Sequence, residues 1–300
     1  MALPQSAVAE ARTSVRTYTG QSFERLLRNR LGIAAGVAIG VLALVAITEP
    51  VLVDYVIRHN VADQDLAEPF ASPGAAHWLG TDELGRDTMA RLIGGARVSL
   101  SIALLTVTLS LAVGGGIGMV SGFVGGWLDN LLMRLVDIVL AIPQILLFML
   151  LSILFRPGIV SLALIIASVS WVTVARIVRS EVLSLRTRDF ILATRSVGAS
   201  QLRLLGRHIF PNVLPTLIVT ATLGVGQIIL VEAALDYLGL GVQPPTSSWG
   251  NMLSNAQSYF TNSTILVIAP GSLIVLTVLA LNLFGNAIRD AFDPRVVHAE

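Results

Sequence analysis

The sequence contains no cysteine and no lysine, and both absences exclude classes of function. Without cysteine the chain can form no disulfide, no thiolate nucleophile and no cysteine-ligated metal site. All 20 basic residues are arginine, so the chain lacks the lysine with which a P-loop binds the phosphates of ATP. Schiff-base chemistry is excluded for the same reason. If ATP hydrolysis drives this protein, a separate chain must bind the nucleotide.

Charge is scarce as well. Charged residues make up 13% of the 300 residues, about half of the share that is usual in soluble domains. Hydrophobic residues make up 54%, and the formal net charge of +1 gives no indication of a nucleic-acid partner. Runs of about 20 apolar residues account for this composition, because a helix of that length crosses the hydrocarbon core of a membrane. The sequence therefore predicts an all-α, polytopic membrane protein.

Six apolar runs predict six membrane-spanning helices, at 31–54, 98–123, 132–155, 159–178, 213–237 and 264–286. The first run is too long for a signal peptide and lacks a clean cleavage site, so we expect it to be retained. An even number of spans places both termini on one side. The predicted organisation is an N-terminal tail at 1–30, a six-span domain at 31–290 with loops at 58–96, 181–212 and 238–263, and a C-terminal tail at 291–300.

Arginine is distributed unevenly between the two sides that this topology defines. The side of the termini holds Arg12, Arg16, Arg25, Arg28, Arg30, Arg134, Arg179, Arg186, Arg188, Arg195, Arg203, Arg207, Arg289 and Arg295. The opposite side holds only Arg58, Arg86, Arg91, Arg97 and Arg156. Because positive charge marks the cytoplasmic side of a membrane protein, we predict that both termini and the 181–212 loop are cytoplasmic.

The 181–212 loop has a helical pattern of its own. Asp189 is predicted to cap a helix over 190–197, and Gly198 to end it in the left-handed conformation that glycine adopts without steric cost. Ser200 is a good N-cap for a second helix over 201–209, which Pro211 is expected to stop. The pattern predicts a structured elbow of helix, tight turn and helix.

The second helix of this elbow is predicted to be amphipathic. Leu202, Leu205 and Ile209 recur at helical spacing, whereas Arg203 and Arg207 fall on the opposite side. Such a helix could dock a cytoplasmic partner protein, which is the interpretation that we favour. The alternatives are a helix that lies on anionic lipid and a helix-turn-helix that binds DNA.

The elbow sequence FILATRSVGASQLRLLGRHIFPNVLP, at 190–215, resembles the EAA loop of ABC-importer permeases, in particular the dipeptide/oligopeptide/nickel permease family. The matching positions are Ala193, Gly198, Ala199, Ser200, Leu202, Arg203, Arg207, His208, Ile209, Pro211, Asn212 and Pro215. Leu192 replaces the glutamate that names the loop, and Thr194 replaces its second alanine. This departure removes any ion pair that the glutamate would make with an ATPase.

Two further stretches resemble the C-type permeases of the same family. Residues 77–104, HWLGTDELGRDTMARLIGGARVSLSIAL, are similar to the segment that enters the second span. Residues 235–257, LDYLGLGVQPPTSSWGNMLSNAQ, are similar to the outward loop between spans five and six, except that Asp236 stands where a small polar residue is more usual. Three motifs in the right order identify the chain as a member of this family.

The resemblance implies the type I ABC-importer permease fold, with 190–211 as the coupling helix that sits in a groove of the ATPase subunit. It implies four kinds of partner in a bacterial or archaeal plasma membrane: a second homologous permease, two ATPase subunits, an extracytoplasmic substrate-binding protein and membrane lipid. The substrates would be dipeptides, oligopeptides, nickel chelates or other small solutes. No cofactor and no catalytic activity of the chain itself are implied. An ion-coupled secondary transporter and a membrane scaffold are the alternatives from other classes.

Charged residues inside membrane spans are costly and often functional. Glu232 and Asp236 lie one turn apart near the outer end of the fifth span, and with Gln227 they are candidates for the translocation path. The alternative is that both carboxylates lie at the water interface or against the partner subunit. Asp137 lies near the predicted cytoplasmic end of span three, and we expect it to form an i,i+3 ion pair with Arg134.

Small residues and prolines also predict features of the spans. Gly36 and Gly40, and then Gly114, Gly118, Gly122 and Gly126, stand four residues apart, a spacing that lets helix backbones approach closely in lipid. These rows pack either within the chain or against a second subunit. Pro143 and Pro270 are expected to kink spans three and six.

No catalytic or metal constellation is recognisable in the sequence. The histidines, His59, His77, His208 and His298, are scattered without metal-ligand spacing, and no GxSxG occurs. Within the acidic 58–96 loop, residues 81–91 are predicted to form a short amphipathic helix with Asp87 as N-cap. This loop could dock the binding protein or fold over the mouth of the channel.

Overall fold

A computed structural model describes residues 24–155 and 158–292 of the chain. Most of the predicted N-terminal tail, with Arg12 and Arg16, lies outside the described residues, as do Arg156, Arg295 and His298. In the described ranges the only extended pairing is an isolated bridge between Thr81 and Asp87. The all-α prediction is confirmed.

The helices are α1 (Arg30–Ile47), α2 (Thr88–Val124), α3 (Gly126–Leu140), α4 (Gln144–Leu154), α5 (Ile159–Leu185), α6 (Asp189–Ser196), α7 (Gln201–Leu204), α8 (Phe210–Tyr237), α9 (Trp249–Gln257) and α10 (Ile265–Phe292). A single turn of helix at Glu49–Val51 and a π-helical segment at Leu52–Ile57 continue α1. A second π-helical segment, Leu205–Ile209, joins α7 to α8.

In the part of the chain that the structure describes, five helical stretches are long and apolar enough to cross a membrane: α1, α2, α5, the continuous 201–237 stretch that ends with α8, and α10. The helices α3 and α4 complete a sixth span if they are counted together, although they are bent by 81°. Pro143 lies at this bend as the N-cap of α4, because proline cannot donate to the preceding turn and disfavours the helical conformation of the residue before it. The expected kink at Pro143 is thus a complete break, whereas α10 is continuous through Pro270.

Four helices, α2, α5, α8 and α10, are longer than their predicted spans, and the difference is largest for α2 and α5. The helix α2 begins at Thr88 rather than at residue 98, because the Asp87 carboxylate caps it by accepting a 2.7 Å hydrogen bond from the Ala90 N–H. Residues 81–91 are therefore not a separate helix, and the predicted 58–96 loop ends at residue 87. The helix α5 runs on to Leu185 instead of ending at 178. Hydropathy marks the part of a helix that lies in lipid, not its full length.

The glycine row of α2 packs against α5 within this chain. A Cβ atom at Gly114 would lie 2.3 Å from the Trp171 carbonyl oxygen, and one at Gly118 would lie 2.5 Å from the Ala175 carbonyl oxygen. Gly122 faces the Arg179 carbonyl oxygen in the same way, at 2.9 Å. Internal packing is thus confirmed for these three glycines, and contact with a second subunit is not their role. We call this contact the glycine seam.

The central core lies between α2, α5, α8, α9 and α10. Its most deeply buried side chains include Ile102, Leu162, Ile166, Ile229 and Trp249. The Trp249 indole N–H donates a 3.1 Å hydrogen bond to the Leu92 carbonyl oxygen and so joins the start of α9 to α2. The short helix α9 is thus part of the core and not of an exposed loop.

Candidate coupling site

The connection between α5 and α8 is a structured element, which we call the coupling segment and define as residues 186–209. It contains α6, a tight turn, α7 and the π-helical segment. Gly198 has a φ angle of +85°, and no atom lies near the position that a Cβ would occupy, so the backbone conformation alone requires glycine here. The Ser200 hydroxyl accepts a 3.4 Å hydrogen bond from the Arg203 N–H and caps α7. Both turn predictions are confirmed.

Two predictions about the ends of these helices are wrong. Asp189 is the first residue of α6, and the residue in the capping position is Arg188. Pro211 does not stop the second helix, because it lies in the first turn of α8, where a missing N–H costs little. The Phe210 N–H bonds back to the Leu205 carbonyl oxygen, so the chain passes from the π-helical segment directly into α8.

The apolar face of the second helix also differs from the prediction. Leu204 and Ile209 are buried and Leu205 is half-buried, whereas Leu202 is 83% exposed. The π-helical segment lies between this buried pair, and its hydrogen bonds run from residue i to i+5, so its side-chain repeat is longer than that of an α-helix. The predicted pattern assumed α-helical spacing and therefore placed Leu202 on the same face as Leu205 and Ile209. The side chains of Arg203 and Arg207 are exposed, as predicted.

The buried side of the coupling segment is joined to the spans by an apolar cluster, which we call the anchor. Ile191 and Leu204 pack there with Ile209. The neighbouring spans contribute Val174, Val178 and Val182 from α5 and Val213 from α8. Each fully buried aliphatic side chain contributes about 1.5–3 kcal/mol, so the coupling segment is held firmly on α5 and α8.

The opposite side of the coupling segment carries exposed apolar side chains among its arginines. Val197 is 89% exposed beside the Gly198 turn, and Leu202 follows in α7. Phe190 and Leu192 are also exposed. Isolated exposed apolar residues are common, but several on one short segment that also carries exposed arginines make it a candidate interaction surface.

The remaining predicted coupling residues lie on the coupling segment or, in the case of Pro211, in the first turn of α8. Ala193, Ser200 and Pro211 are exposed, and Ala199 and His208 are half-buried. The two departures from the pattern are accommodated locally: Leu192 is exposed, and the Thr194 hydroxyl donates a 2.6 Å hydrogen bond to the Phe190 carbonyl oxygen. The structure thus brings all the predicted coupling residues together.

Sequence reasoning missed a charged junction at the base of the coupling segment. The Arg179 guanidinium donates to both carboxylate oxygens of Asp129, at 2.6 and 2.7 Å, and the Ser121 hydroxyl donates to the same carboxylate. Arg186 donates a 3.1 Å hydrogen bond to the Gly122 carbonyl oxygen. These contacts join α2, α3 and α5. The only sign of this junction in the sequence is Asp129 itself, an aspartate in the first turn of the apolar helix α3 with no arginine in the same turn.

The predicted pair of Asp137 with Arg134 is wrong. The Asp137 carboxylate accepts a 2.7 Å bond from Arg176 of α5, and both side chains are more than half exposed. The i,i+3 rule considers only partners on one helix, whereas α3 lies beside α5 and offers a nearer cation.

The predicted path residues occupy two different environments. Glu232 is fully buried and Asp236 is 2% exposed, so the expected position at a water interface is wrong for both. Glu232 accepts a 3.1 Å hydrogen bond from the Ser99 hydroxyl of α2, and Asp236 accepts one of 2.6 Å from the Val242 N–H and one from the Ser248 hydroxyl. Gln227 is exposed on α8, and its place in the translocation path stays a prediction.

Comparison with known proteins places this architecture in one family. The model of the family described as binding-protein-dependent transport system inner membrane component matches residues 114–298. The chain is 38% identical to the dipeptide transport system permease protein DppC of Alkalihalophilus pseudofirmus, over 92% of this chain and 90% of that relative. It is 36% identical to the oligopeptide transport system permease protein OppC of Bacillus subtilis, over 91% and 88%, respectively.

Two further similarities agree with this. The chain is 36% identical to the glutathione transport system permease protein GsiD of Pectobacterium atrosepticum, over 94% of this chain and 93% of that relative. Its fold is similar to that of an inward-facing structure of the MetNI methionine ABC transporter, with a TM-score of 0.59 and 19% identity over 68% of this chain and 97% of that one. The chain therefore belongs to the binding-protein-dependent transport system inner membrane component family, and it is a permease subunit of an ABC importer.

Proposed function

We propose that this chain forms, with a second homologous permease, the translocation path of an importer for short peptides, and that its coupling segment receives the movement of separate ATPase subunits. The observation that carries the proposal is the two-sided construction of the coupling segment. One side is anchored in the apolar cluster of Ile191, Leu204 and Ile209, and the other presents Val197 and Leu202 to the surroundings.

A segment that is anchored on one side and exposed on the other can transmit a movement of the ATPase subunits to α5 and α8. ATP binding would close the ATPase dimer and draw the coupling segments of the two permeases together. Because the anchor holds the segment on α5 and α8, these helices would move with it as a rigid body and reopen the path on the far side. Hydrolysis would reset the complex.

The exposed charge of the segment would select the partner. The side chains of Arg195, Arg203 and Arg207 are exposed around the two apolar residues, so the matching groove of the ATPase should be apolar at its centre and acidic at its rim. Complementary rim charges accelerate association and fix the register, whereas buried apolar side chains supply most of the affinity.

The substrate class rests on the relatives, whose names refer to dipeptides, oligopeptides and glutathione. All three share an amino group, a carboxylate and at least one amide bond, so we propose a short peptide as substrate. A nickel chelate or another small solute is the alternative. Transport of a labelled dipeptide by vesicles that contain the complete complex and its binding protein, with no transport of nickel chelates, would separate the two.

The proposed orientation places both termini and the coupling segment in the cytoplasm, and the 58–87 connection on the side of the extracytoplasmic binding protein. It follows from the arginine distribution. A single cysteine introduced at Val197 should react with a membrane-impermeant maleimide only in inside-out vesicles, and one at Ser72 only in right-side-out vesicles. The reverse pattern would overturn the orientation.

The absence of native cysteine allows a direct test of docking. In the Leu202→Cys variant, a bifunctional thiol reagent should join the chain to a cysteine placed in the ATPase groove, and the yield should change when ATP is added. Leu27→Cys is the matched control, because Leu27 is also an exposed leucine, on the proposed cytoplasmic side, but lies before α1 and outside the coupling segment. Equal cross-linking of both variants, or none at residue 202, would contradict the proposal.

A further inference from the structure

The fold brings two histidines and an aspartate together in the 58–87 connection, outside the coupling segment. His59 follows the π-helical segment that continues α1, His77 lies in the 58–87 connection, and Asp87 is the N-cap of α2. Each of the three offers one possible ligand atom, and these three atoms lie within 4.8 Å of one another. They are separated by 18 and 10 residues in the sequence, so no spacing motif reveals them.

Each imidazole is oriented by an oxygen atom. Nδ1 of His77 lies 2.8 Å from Oδ2 of Asp87, and Nε2 of His59 lies 3.1 Å from the Ala76 carbonyl oxygen. The two rings lie side by side, with centroids 4.5 Å apart and planes inclined by 33°. Histidines that bind metals are commonly fixed by an oxygen next to the ring nitrogen that does not bind the metal, and the Ala76 carbonyl oxygen has this place beside His59.

The burial of this group favours a bound cation. The side chain of Asp87 is 2% exposed and that of His77 is 15% exposed. Buried charges are hydrogen-bonded and paired or coordinate metals, and one oxygen of this carboxylate accepts the Ala90 N–H at the start of α2. The nearby arginines, Arg86 and Arg91, are both bound to Asp82, so the charge partner that remains in contact with Asp87 is a histidine, which is cationic only when protonated.

We propose that His59, His77 and Asp87 bind a divalent transition-metal ion, with Zn²⁺ as the best match to two imidazoles and one carboxylate. The ion would replace the proton that now joins His77 to Asp87, and that proton would pass to water. A water molecule would complete a tetrahedral site. Tetrahedral ligands about 2.0–2.1 Å from zinc lie about 3.3 Å apart. The widest separations in the group, which are at most 4.8 Å, must therefore shorten by up to about 1.5 Å, and the 2.8 Å separation of His77 Nδ1 from Asp87 Oδ2 must lengthen by about 0.5 Å. His59 can supply this movement because it is only half-buried and stands in a connection without regular structure.

Such an ion would tie together three separate points of the fold: the end of the α1 extension, the middle of the 58–87 connection and the start of α2. The chain has no cysteine, so a disulfide cannot play this part. The expected consequence is a connection whose conformation is fixed by metal rather than by apolar packing.

The test uses the purified full-length chain, carried by an affinity tag without histidine and stripped with a chelator. Equilibrium dialysis against Zn²⁺ should give one ion per chain. His59→Gln and Asp87→Asn should each weaken binding at least tenfold, as should the double variant. Asp87→Asn is chosen because its side-chain oxygen can still accept from the Ala90 N–H, so the cap of α2 is kept. Co²⁺ in place of Zn²⁺ should give the strong visible absorption of a four-coordinate site, and this should disappear in the double variant.

His208→Gln is the control, because it removes a histidine from the distant coupling segment and should leave the stoichiometry and affinity unchanged. The thermal unfolding midpoint should rise with Zn²⁺ in the parent and in the control but not in the double variant. If the parent binds no Zn²⁺, or if the double variant binds it as the parent does, the proposal is overturned. Equal loss of binding in the control would also overturn it, because it would indicate adventitious binding to exposed histidines.

Discussion

The coupling segment and the 58–87 connection each join two of the long apolar helices, and they use arginine in opposite ways. In the connection and the first turn of α2, Arg86 and Arg91 are buried and share the carboxylate of Asp82. In the coupling segment, Arg203 and Arg207 are exposed, and buried aliphatic side chains hold the segment in place. One region uses its charges for its own structure, and the other leaves them available to a partner.

The comparison predicts that changes in the coupling segment remove transport without removing the fold. Gly198→Pro should abolish ATP-driven uptake, because proline cannot adopt the φ angle of +85°. Arg203→Glu should do the same by reversing a charge of the docking surface. Both variants should still insert and assemble. Uptake by vesicles and recovery of the permease pair are the two measurements.

Gly206→Ala is the matched control for the glycine variant, because Gly206 is exposed and has open space at the position of a Cβ. It should transport normally. Normal uptake by Gly198→Pro and Arg203→Glu together would refute the proposed role of the coupling segment.

The opposite behaviour is expected at Asp82. In Asp82→Asn the amide oxygen can still accept from the N–H groups of Leu84 and Arg86. The buried Arg91 loses the carboxylate that it binds, and Arg86 keeps only its pair with Glu83. Breaking a buried ion pair in this way costs about 3–5 kcal/mol. The thermal unfolding midpoint of the purified chain should fall sharply, whereas Asp63→Asn, at an exposed aspartate of the same connection, should leave it unchanged. A midpoint for Asp82→Asn that equals the parent's would remove the distinction between the two regions.

Two leucines of α7 sharpen the comparison within the coupling segment itself. Leu204→Ala should destabilise the chain by about 2–5 kcal/mol, because Leu204 is buried in the anchor. Leu202→Ala should change stability by no more than about 0.5 kcal/mol and should instead weaken binding of the ATPase. Thermal unfolding and an ATPase pull-down on both variants give the answer. If instead Leu202→Ala lowers stability and Leu204→Ala weakens binding of the ATPase, the exposed face of α7 is not the docking surface.

The smallest effects are expected at two arginines of α5. Arg179→Gln should cost about 1.5–3 kcal/mol, since Arg179 binds both oxygens of a largely buried carboxylate. Arg176→Gln breaks an exposed pair with Asp137 and should cost about 0–1 kcal/mol. Equal shifts in the unfolding midpoint of the two variants would mean that the greater burial of the Arg179–Asp129 pair adds nothing to its contribution to stability.

What could be predicted from the sequence was local in character. Membrane spans follow from continuous hydropathy, and the turn at Gly198 and Ser200 follows from the backbone preferences of single residues. The pairs of Asp129 with Arg179 and of Asp137 with Arg176 could not be predicted, because they depend on which helices become neighbours. The same holds for the burial of Glu232 against Ser99, two residues that are 133 positions apart.

The errors in the coupling segment have a different origin. The sequence pattern was interpreted with an α-helical repeat, and the π-helical segment at Leu205–Ile209 changes that repeat. This grouped Leu202 with Leu205 and Ile209 on one face and made Pro211 a stop. The difference bears on the proposed docking of the ATPase, because the change of repeat in the π-helical segment separates the exposed Leu202 from the buried Ile209.

The glycine seam between α2 and α5 has a mechanical consequence. Because absent side chains bring the two backbones together at every fourth residue of α2, sliding one helix along the other by less than four residues, about 6 Å, would drive neighbouring side chains into carbonyl oxygens. A sliding movement of α2 along α5 is therefore disfavoured, and we expect the two helices to rotate together as one rigid body. The helix α5 has 27 residues and is about 40 Å long. If it moves as a rigid rod, a displacement of its end at Leu185, next to the coupling segment, also displaces its other end at Ile159.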